Sequence, residues 1–331
     1  MVKTKYIVTD CTDPAQNLAI EEYLTFHIPE DEAILYLWQN ANTVVIGRNQ
    51  NPWKECRLET MQEEGCTLAR RISGGGAVYH DLGNLNFTFV AQEGLYDVAK
   101  QTEVILRAVQ ILGIHAEKNG RNDLTIDGKK FSGHAYFKRG KYCYHHGTIM
   151  VDVNRDVLSK YLNVSVAKLQ SKGVSSVRSR VTNLVDYRQG LTIAEVKDAL
   201  LQAFAEVYDS DVPEEMSLPN IEDSEVQKLY QRYQSDEWRL GRKIPFDLEI
   251  DNRLDFGNVN IQLHVEGGII RQARIYSDAL ETDIFPKLEE LLQGAIYKKK
   301  ALNGLNLEQF KEKKEYIIAV KVINQITSQM E

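Results

Sequence analysis

Cysteine is scarce: the 331 residues hold four, Cys11, Cys56, Cys66 and Cys143. Their spacing shows neither paired metal ligands nor the density of a disulfide framework, so reduced thiols are expected. No run of about 18 apolar residues occurs, so no spanning helix is expected. The opening MVKTKYIVTD has no basic segment followed by an apolar one, which argues against export and for a cytoplasmic location. Positive charge is also short. A formal net charge of -7 and a pI near 5.6 argue against nonspecific nucleic-acid binding, which needs an excess of lysine and arginine. There are no repeats and no low-complexity tract. What remains is a 43% hydrophobic chain, long enough for a large core and two domains.

One stretch is dense in chemistry, residues 68 to 91, LARRISGGGAVYHDLGNLNFTFVA. Arg70 and Arg71 precede Ser73 and three glycines, Gly74, Gly75 and Gly76, and strand-like alternation resumes at Val78. Consecutive glycines let backbone N–H groups converge on one concavity, and guanidinium groups suit carboxylate or phosphate oxygens. The pattern reads as a strand-turn-strand grip for an anion. A flexible hairpin tip explains the triplet equally well, so the flanks must decide. No Lys-Ser/Thr pair follows the glycines, which excludes the phosphate loop of nucleotide hydrolases.

Taken in order, Asp13-Pro14 marks a capped helix start, with Leu18, Ile20, Tyr23 and Leu24 on an approximate apolar face. AILYLWQ and NTVVIGR, separated by Asn40-Ala41, suggest two strands joined tightly. A helical stretch runs from Gln101 to Leu112. Asp127-Gly128 is a strong hairpin signal between DLTI and KKFSGHAYF, and a polar turn at Lys138 to Lys141 leads into YCYHHGTIMVDV, so a three-stranded meander is expected. It gathers Lys129 or Lys130, Ser132, Gly133, His134, His145 and His146, with Asn122 and Asp123 adjacent. Residues 168 to 184, KLQSKGVSSVRSRVTNL, read as a basic loop. A capped helix follows Thr192, with Val196, Leu200 and Phe204 on one face and an end near Tyr208. After a polar stretch from Pro213 to Arg242 a new pattern starts, with strands around a Glu266-Gly267-Gly268 turn and a helix from Asp283 to Leu292. This divides the chain into residues 1–244 and a small α+β appendage, 245–331.

The charges group by chemistry. Arg70, Arg71 and Lys130 supply positive charge, while Asn122 and Asp123 are oxygen ligands suited to Mg²⁺. Such a set suits adenylation, in which a carboxylate attacks the α-phosphate of ATP and the protein positions reactants and stabilises charge. Two rivals share these residues. His80, His134, His145 and His146 are metal-ligand types, although adjacent His145 and His146 on a strand point to opposite faces. Cys143 and His145 share a face, which permits a thiol-imidazole pair for acyl transfer, yet no Asn or Asp orienter is evident.

At these residues a family resemblance is plain. RRISGGGAVYHDLGNLNFTF, with NLAIEEYL, LWQNANTVVIGRNQNPWKEC, GRNDL, KKFSGHAYF, YHHGTIMVDVN and KGVSSVRSRVTNL, resembles the lipoate-protein ligase A family, in order from residue 17 to residue 184. DNRLDFGNVNIQLHVEGGIIRQARIYSD is similar to the family's accessory domain. The resemblance implies an α/β (α+β) catalytic domain of the biotin and lipoyl protein ligase type, a mixed β-sheet flanked by helices. It implies lipoate and ATP with Mg²⁺ giving lipoyl-AMP and pyrophosphate, then transfer to a lysine of a lipoyl domain. Acceptors of the family type are lipoyl domains of 2-oxoacid dehydrogenase complexes and the glycine-cleavage carrier protein; a monomer is expected.

Carried over by motif, Lys130 before FSG corresponds to the family's essential lysine, touching lipoate carboxyl and α-phosphate. Arg71 with Gly76, Ala77, Val78 and Tyr79 corresponds to nucleotide contacts. Arg70, Ser73, Gly74 and Gly75 border the acyl-adenylate, Glu21 and His146 line the pocket, and GVSSVRSR resembles the adenylate-binding loop. The chain departs in the short spacing between GRNDL and KFSG, which leaves Lys129 beside Lys130. Related octanoyl transferases use a cysteine and no ATP; the intact lysine motif and accessory segment favour the ligase. A non-catalytic lipoate-binding or adaptor protein is the remaining alternative.

Overall fold

The structure is a computed structural model that describes residues 2–120, 123–163 and 180–330. Asn122 and residues 168–179 of the basic loop lie outside the described residues. The chain divides into two compact units that do not follow chain order. One comprises Met1–Ile46, Trp53–Arg71 and Ala77–Arg239, the other Gly47–Pro52, Ile72–Gly76 and Leu240–Glu331.

The first unit is built on strands β1 (Lys3–Val8), β2 (Glu32–Trp38), β3 (Thr43–Ile46), β4 (Thr67–Arg70), β5 (Val78–His80), β6 (Asn84–Gln92), β7 (Glu117–Asn119), β8 (Asp123–Ile126), β9 (Lys129–Arg139), β10 (Tyr142–Met150) and β11 (Glu214–Glu215). Its main helices are α1 (Pro14–His27), α2 (Val98–Ile111), α3 (Ile193–Tyr208) and α4 (Ser224–Gln234). Eight strands form one mixed sheet in the order β11-β1-β2-β6-β10-β9-β8-β7, and β4-β3-β5 forms a small second sheet. Asp127 and Gly128 both take positive φ, 51° and 73°. These are the dihedral signs a tight two-residue hairpin needs, so the expected meander β8-β9-β10 forms.

Strand alternation gives the eight-stranded sheet two unlike faces. Leu35, Leu37, Phe87, Phe89, Leu124, Phe131 and Ile149 share the core with Val104, Ile105 and Ala108 of α2 and Leu200, Ala203 and Phe204 of α3. The other face carries Tyr36, Trp38, Asn86, Thr88, His146 and Thr148, and α1 lies over it, with Asn17 accepting a hydrogen bond from the Tyr36 hydroxyl at 3.0 Å. Asp13 caps α1 by accepting from Ala15 N at 2.8 Å. α4, inside the stretch that reads as merely polar, packs on α1: the Tyr233 hydroxyl donates to Glu22 Oε2 at 2.6 Å, and Arg232 pairs with the same carboxylate.

Two sequence expectations differ from the structure. β2 and β3 both form, but in different sheets rather than as a tightly joined pair. The chain turns between them at Asn42, with φ 38°, and fully buried Asn40 is held by Asn17 Nδ2 at 3.1 Å. Likewise β4 and β5 do not pair across the glycines; β4 runs parallel and β5 antiparallel to β3, which lies between them. The glycine stretch therefore does not close a hairpin between β4 and β5.

The second unit has a three-stranded antiparallel sheet of β12 (Leu248–Leu254), β13 (Gly257–Glu266) and β14 (Ile269–Ser277). Helices α5 (Ile284–Leu292) and α6 (Lys313–Thr327) cover it, burying Phe285, Leu288, Val322 and Ile326 with Ile261 and Leu263. Gly267 and Gly268 make the expected turn, with φ 60° and 74°. Into this unit are woven Gly47–Pro52 and Ile72–Gly76. Ser277 N donates to Asn49 O at 2.9 Å, Arg48 N to Ser73 O at 2.9 Å and Gly75 N to Ala279 O at 3.3 Å.

Gly74 has a steric reason the sequence hides. A Cβ there would lie 2.2 Å from Ala279 O and 2.7 Å from Leu280 Cα, both backbone atoms that cannot step aside. Gly74→Ala is therefore expected to lower stability by about 1–3 kcal/mol through overpacking. Urea denaturation of the full chain checks this, and an unchanged midpoint would contradict the close packing.

Candidate functional site

Lys130 owes its direction to an irregularity in one strand pair. Along β8 and β9 the partners are Asp123 with Gly133 and Leu124 with Ser132, but Thr125 pairs with Lys130, so one extra residue sits on β9. This bulge turns both Phe131 and Ser132 toward the core side and returns Lys130 to the face of Asp123, Gly133 and Thr148. Without it the side-chain period of two would point Lys130 into the apolar core. Lys130 Nζ pairs with Asp123 Oδ1 at 2.7 Å, with both side chains partly exposed. Its carbonyl accepts from Thr182 N at 2.9 Å. Lys129 is exposed at the hairpin, opposite Ile126.

On the same face of the sheet sits a buried carboxylate. Glu21, 1% exposed, reaches from α1; its Oε1 accepts from Thr88 Oγ1 at 2.6 Å and lies 2.8 Å from His146 Nδ1. Thr88 Oγ1 in turn accepts from Trp38 Nε1 at 3.0 Å. A buried carboxylate without partners is costly, and these contacts offset that cost while fixing Trp38, Thr88, Glu21 and His146 as one rigid chain of hydrogen bonds. Thr88 is a member that sequence reading missed, since one threonine in a strand carries no signal of its own.

Adjacent His145 and His146 do point to opposite faces. His145 belongs to the core side, where its Nε2 lies 2.8 Å from His134 Nδ1 and its Nδ1 lies 3.2 Å from Gln101 Oε1. His134 Nε2 is 3.0 Å from Ser132 Oγ. His80 Nδ1 is 3.2 Å from Asn40 Nδ2. His134 and His145 thus contact each other while His80 and His146 lie with other partners, and among the described residues no three His, Cys, Asp or Glu side chains are grouped to hold a metal ion.

The arginines are both buried. Arg71 donates from Nη1 to Val45 O at 3.1 Å, and burial lowers its guanidinium to about 10, still charged at neutral pH. Arg70 donates from Nε to Trp238 O at 2.9 Å and from Nη2 to Arg239 O at 2.9 Å, while Trp238 Nε1 donates back to Arg70 O at 2.7 Å. Its fork is thus engaged with main-chain oxygens. Ala77 and Val78 are partly exposed, and Tyr79 is buried against Tyr161 with its hydroxyl on Asn42 Oδ1 at 3.2 Å. Ser73, Gly74, Gly75 and Gly76 belong to the second unit.

Residues 13–205 match the model of the lipoyl protein ligase A/B catalytic domain, and residues 243–324 match that of the bacterial lipoate protein ligase C-terminus. The chain belongs to the lipoyl protein ligase A/B family. Among solved structures it is similar to P. falciparum LipL1 in complex with lipoate, at 27% identity and a TM-score of 0.82 over 97% of this chain and 99% of that one. A bipartite lipoate protein ligase from Thermoplasma acidophilum, described with its E2 lipoyl domain, matches at 30% identity and 0.66, covering 75% and 100%. A lipoate-protein ligase A bound with ATP matches at 30% and 0.62, covering 72% and 98%. The expected fold, a mixed sheet flanked by helices with a small C-terminal sheet domain, is the one found.

Cysteine chemistry fits this site poorly. Cys143 is buried on β10, and burial pushes its thiol up to about 11, away from the thiolate a nucleophile needs. Burial also holds the core histidines neutral: His80 and His134 fall to about 3, and His145 is lowered well below its usual range. A depressed folded-state pKa means the unfolded chain binds more protons below pH ~6.5, so stability is full above that pH and is lost as pH falls toward 3. At pH 5 His80 and His134 are each expected to cost about 2 kcal/mol. Denaturant midpoints between pH 7 and 5 measure this; in His134→Gln the pH slope is expected to fall by about one proton, and an unchanged slope would refute the assignment.

Proposed function

We propose that this chain is an ATP-dependent lipoate-protein ligase. The lipoate carboxylate attacks the α-phosphorus of ATP, the bond to the β-phosphate oxygen breaks, and pyrophosphate leaves. An acceptor lysine amine then attacks the acyl carbon of lipoyl-AMP, an amide forms, the amine loses a proton and AMP departs. The observation that carries this reading is Lys130 turned by the β9 bulge onto the polar face that also holds Glu21 and His146, in a family with solved relatives described with lipoate and with ATP.

Roles follow from charge. Lys130 bridges the lipoate carboxylate and the α-phosphate, where negative charge is densest in the transition state. Arg71 with Gly76, Ala77, Val78 and Tyr79 contacts the nucleotide. Arg70, Ser73, Gly74 and Gly75 border the acyl-adenylate, and Glu21 and His146 line the lipoate pocket. Asp123 fits Mg²⁺ as one oxygen ligand beside phosphates, with Asn122 next to it in sequence; bound there, the ion would screen phosphate charge. Residues 245–331 serve as the accessory domain to 1–244. The expected setting is a cytoplasmic monomer acting on lipoyl domains of 2-oxoacid dehydrogenase complexes and the glycine-cleavage carrier.

Lipoate-dependent exchange of labelled pyrophosphate into ATP tests the first step. Lys130→Ala is expected to lower it by about 100-fold or more, the scale of removing one charge-stabilising donor, while Cys143→Ala leaves it near wild type. Acylation from a carrier thioester without ATP, abolished in Cys143→Ala, would overturn the proposal in favour of a cysteine transferase.

A further inference from the structure

We infer that Gly133 is a positioning residue for Lys130: its missing side chain keeps clear the strip of sheet along which the lysine lies to reach Asp123. The strand register sets a row across three strands, with Asp123 of β8 opposite Gly133 of β9 and Gly133 opposite Thr148 of β10. Any side chain at 133 would stand in the middle of that row. A Cβ there would come 2.5 Å from Lys130 Nζ and 2.7 Å from Lys130 Cε, with Thr148 Oγ1 the next atom at 3.8 Å. The lysine ammonium therefore occupies the space the glycine leaves, and its 2.7 Å pair with Asp123 runs beside it.

What the missing Cβ clears separates this glycine from its neighbour. At Gly147, on β10, a Cβ would meet Gly133 O at 2.6 Å and the Phe87 ring at 2.6 Å, so that glycine serves the packing of the sheet. At Gly133 the obstructed atoms are the free end of a flexible side chain. Gly133 is also absent from the glycines with positive φ, so alanine suits its backbone. A methyl group at 133 thus displaces the lysine and leaves the strand intact, which is the behaviour of a residue that acts through another.

The test uses the full chain with Gly133→Ala, Asp123→Ala and the double variant, and two readouts. The first is the rate at which a trace amine-acetylating reagent labels Lys130, followed by mass spectrometry against neighbouring Lys129. Losing the carboxylate partner frees the amine, so labelling is expected to rise about threefold or more in either single variant, with no further rise in the double. Wild-type labelling in Gly133→Ala overturns the inference, and so does a large loss of thermal stability in that variant, because the methyl group would then have met the fold. The second readout, which rests on the ligase reading, is lipoate-dependent ATP–pyrophosphate exchange. Its kcat is expected to fall about tenfold or more in Gly133→Ala with KM for ATP little changed, the signature of a misplaced reacting group; unchanged kcat refutes a role in the reaction. If wild type shows no exchange, the ligase reading fails while the labelling result still decides the position of Lys130.

Discussion

The register shift between β8 and β9 is the constraint on which the site depends. Strand side chains alternate, so the side of the sheet that a lysine faces is a matter of parity. One inserted residue lets Phe131 and Ser132 both face the core and puts Lys130 on the polar side with Asp123 and Thr148. Neighbouring polar groups inherit that geometry. Asp123 meets the lysine because both lie on one face, and the row from Asp123 through Gly133 to Thr148 stays open because its middle member is glycine.

The two faces of the sheet deal with polar side chains differently. On the core side, His134 and His145 are neutral and satisfied mainly by one another, by Ser132 and by Gln101. On the opposite side, Glu21 sits nearly inaccessible yet meets Thr88 and His146, and Trp38 holds Thr88. A hydrogen-bonded network of that kind holds its members rigidly. Lys130 lies over a strip of strand left clear by Gly133 and pairs with Asp123.

Much of this was legible in the sequence where local chemistry alone decides. Asp127-Gly128 states its own dihedral signs, Asp13-Pro14 and Thr192 cap their helices, and alternation separates His145 from His146. The motif order from NLAIEEYL to KGVSSVRSR carried the family. What stayed hidden depends on partners distant in the chain. Nothing near Gly74 says that the backbone of Ala279 and Leu280 will lie against it, nothing near Arg70 that its fork will take the carbonyls of Trp238 and Arg239, and nothing in KKFSG that a bulge falls between Lys130 and Ser132. The glycine triplet is the clearest case. Read alone it fits an anion nest or a turn equally well, and nothing in it shows that the backbone of Ala279 and Leu280 takes the space a Cβ of Gly74 would need.

We propose that the polar face around Lys130 serves acyl activation and transfer to protein. The most direct measurement is the intact mass of a folded lipoyl domain incubated with this chain, lipoate and ATP with Mg²⁺, followed by peptide mapping. The expected result is the gain of one lipoyl group on a single lysine, dependent on ATP and absent when Lys130 is replaced. An acceptor that stays unmodified while the chain binds lipoate, or one that is acylated equally well without ATP, would contradict it.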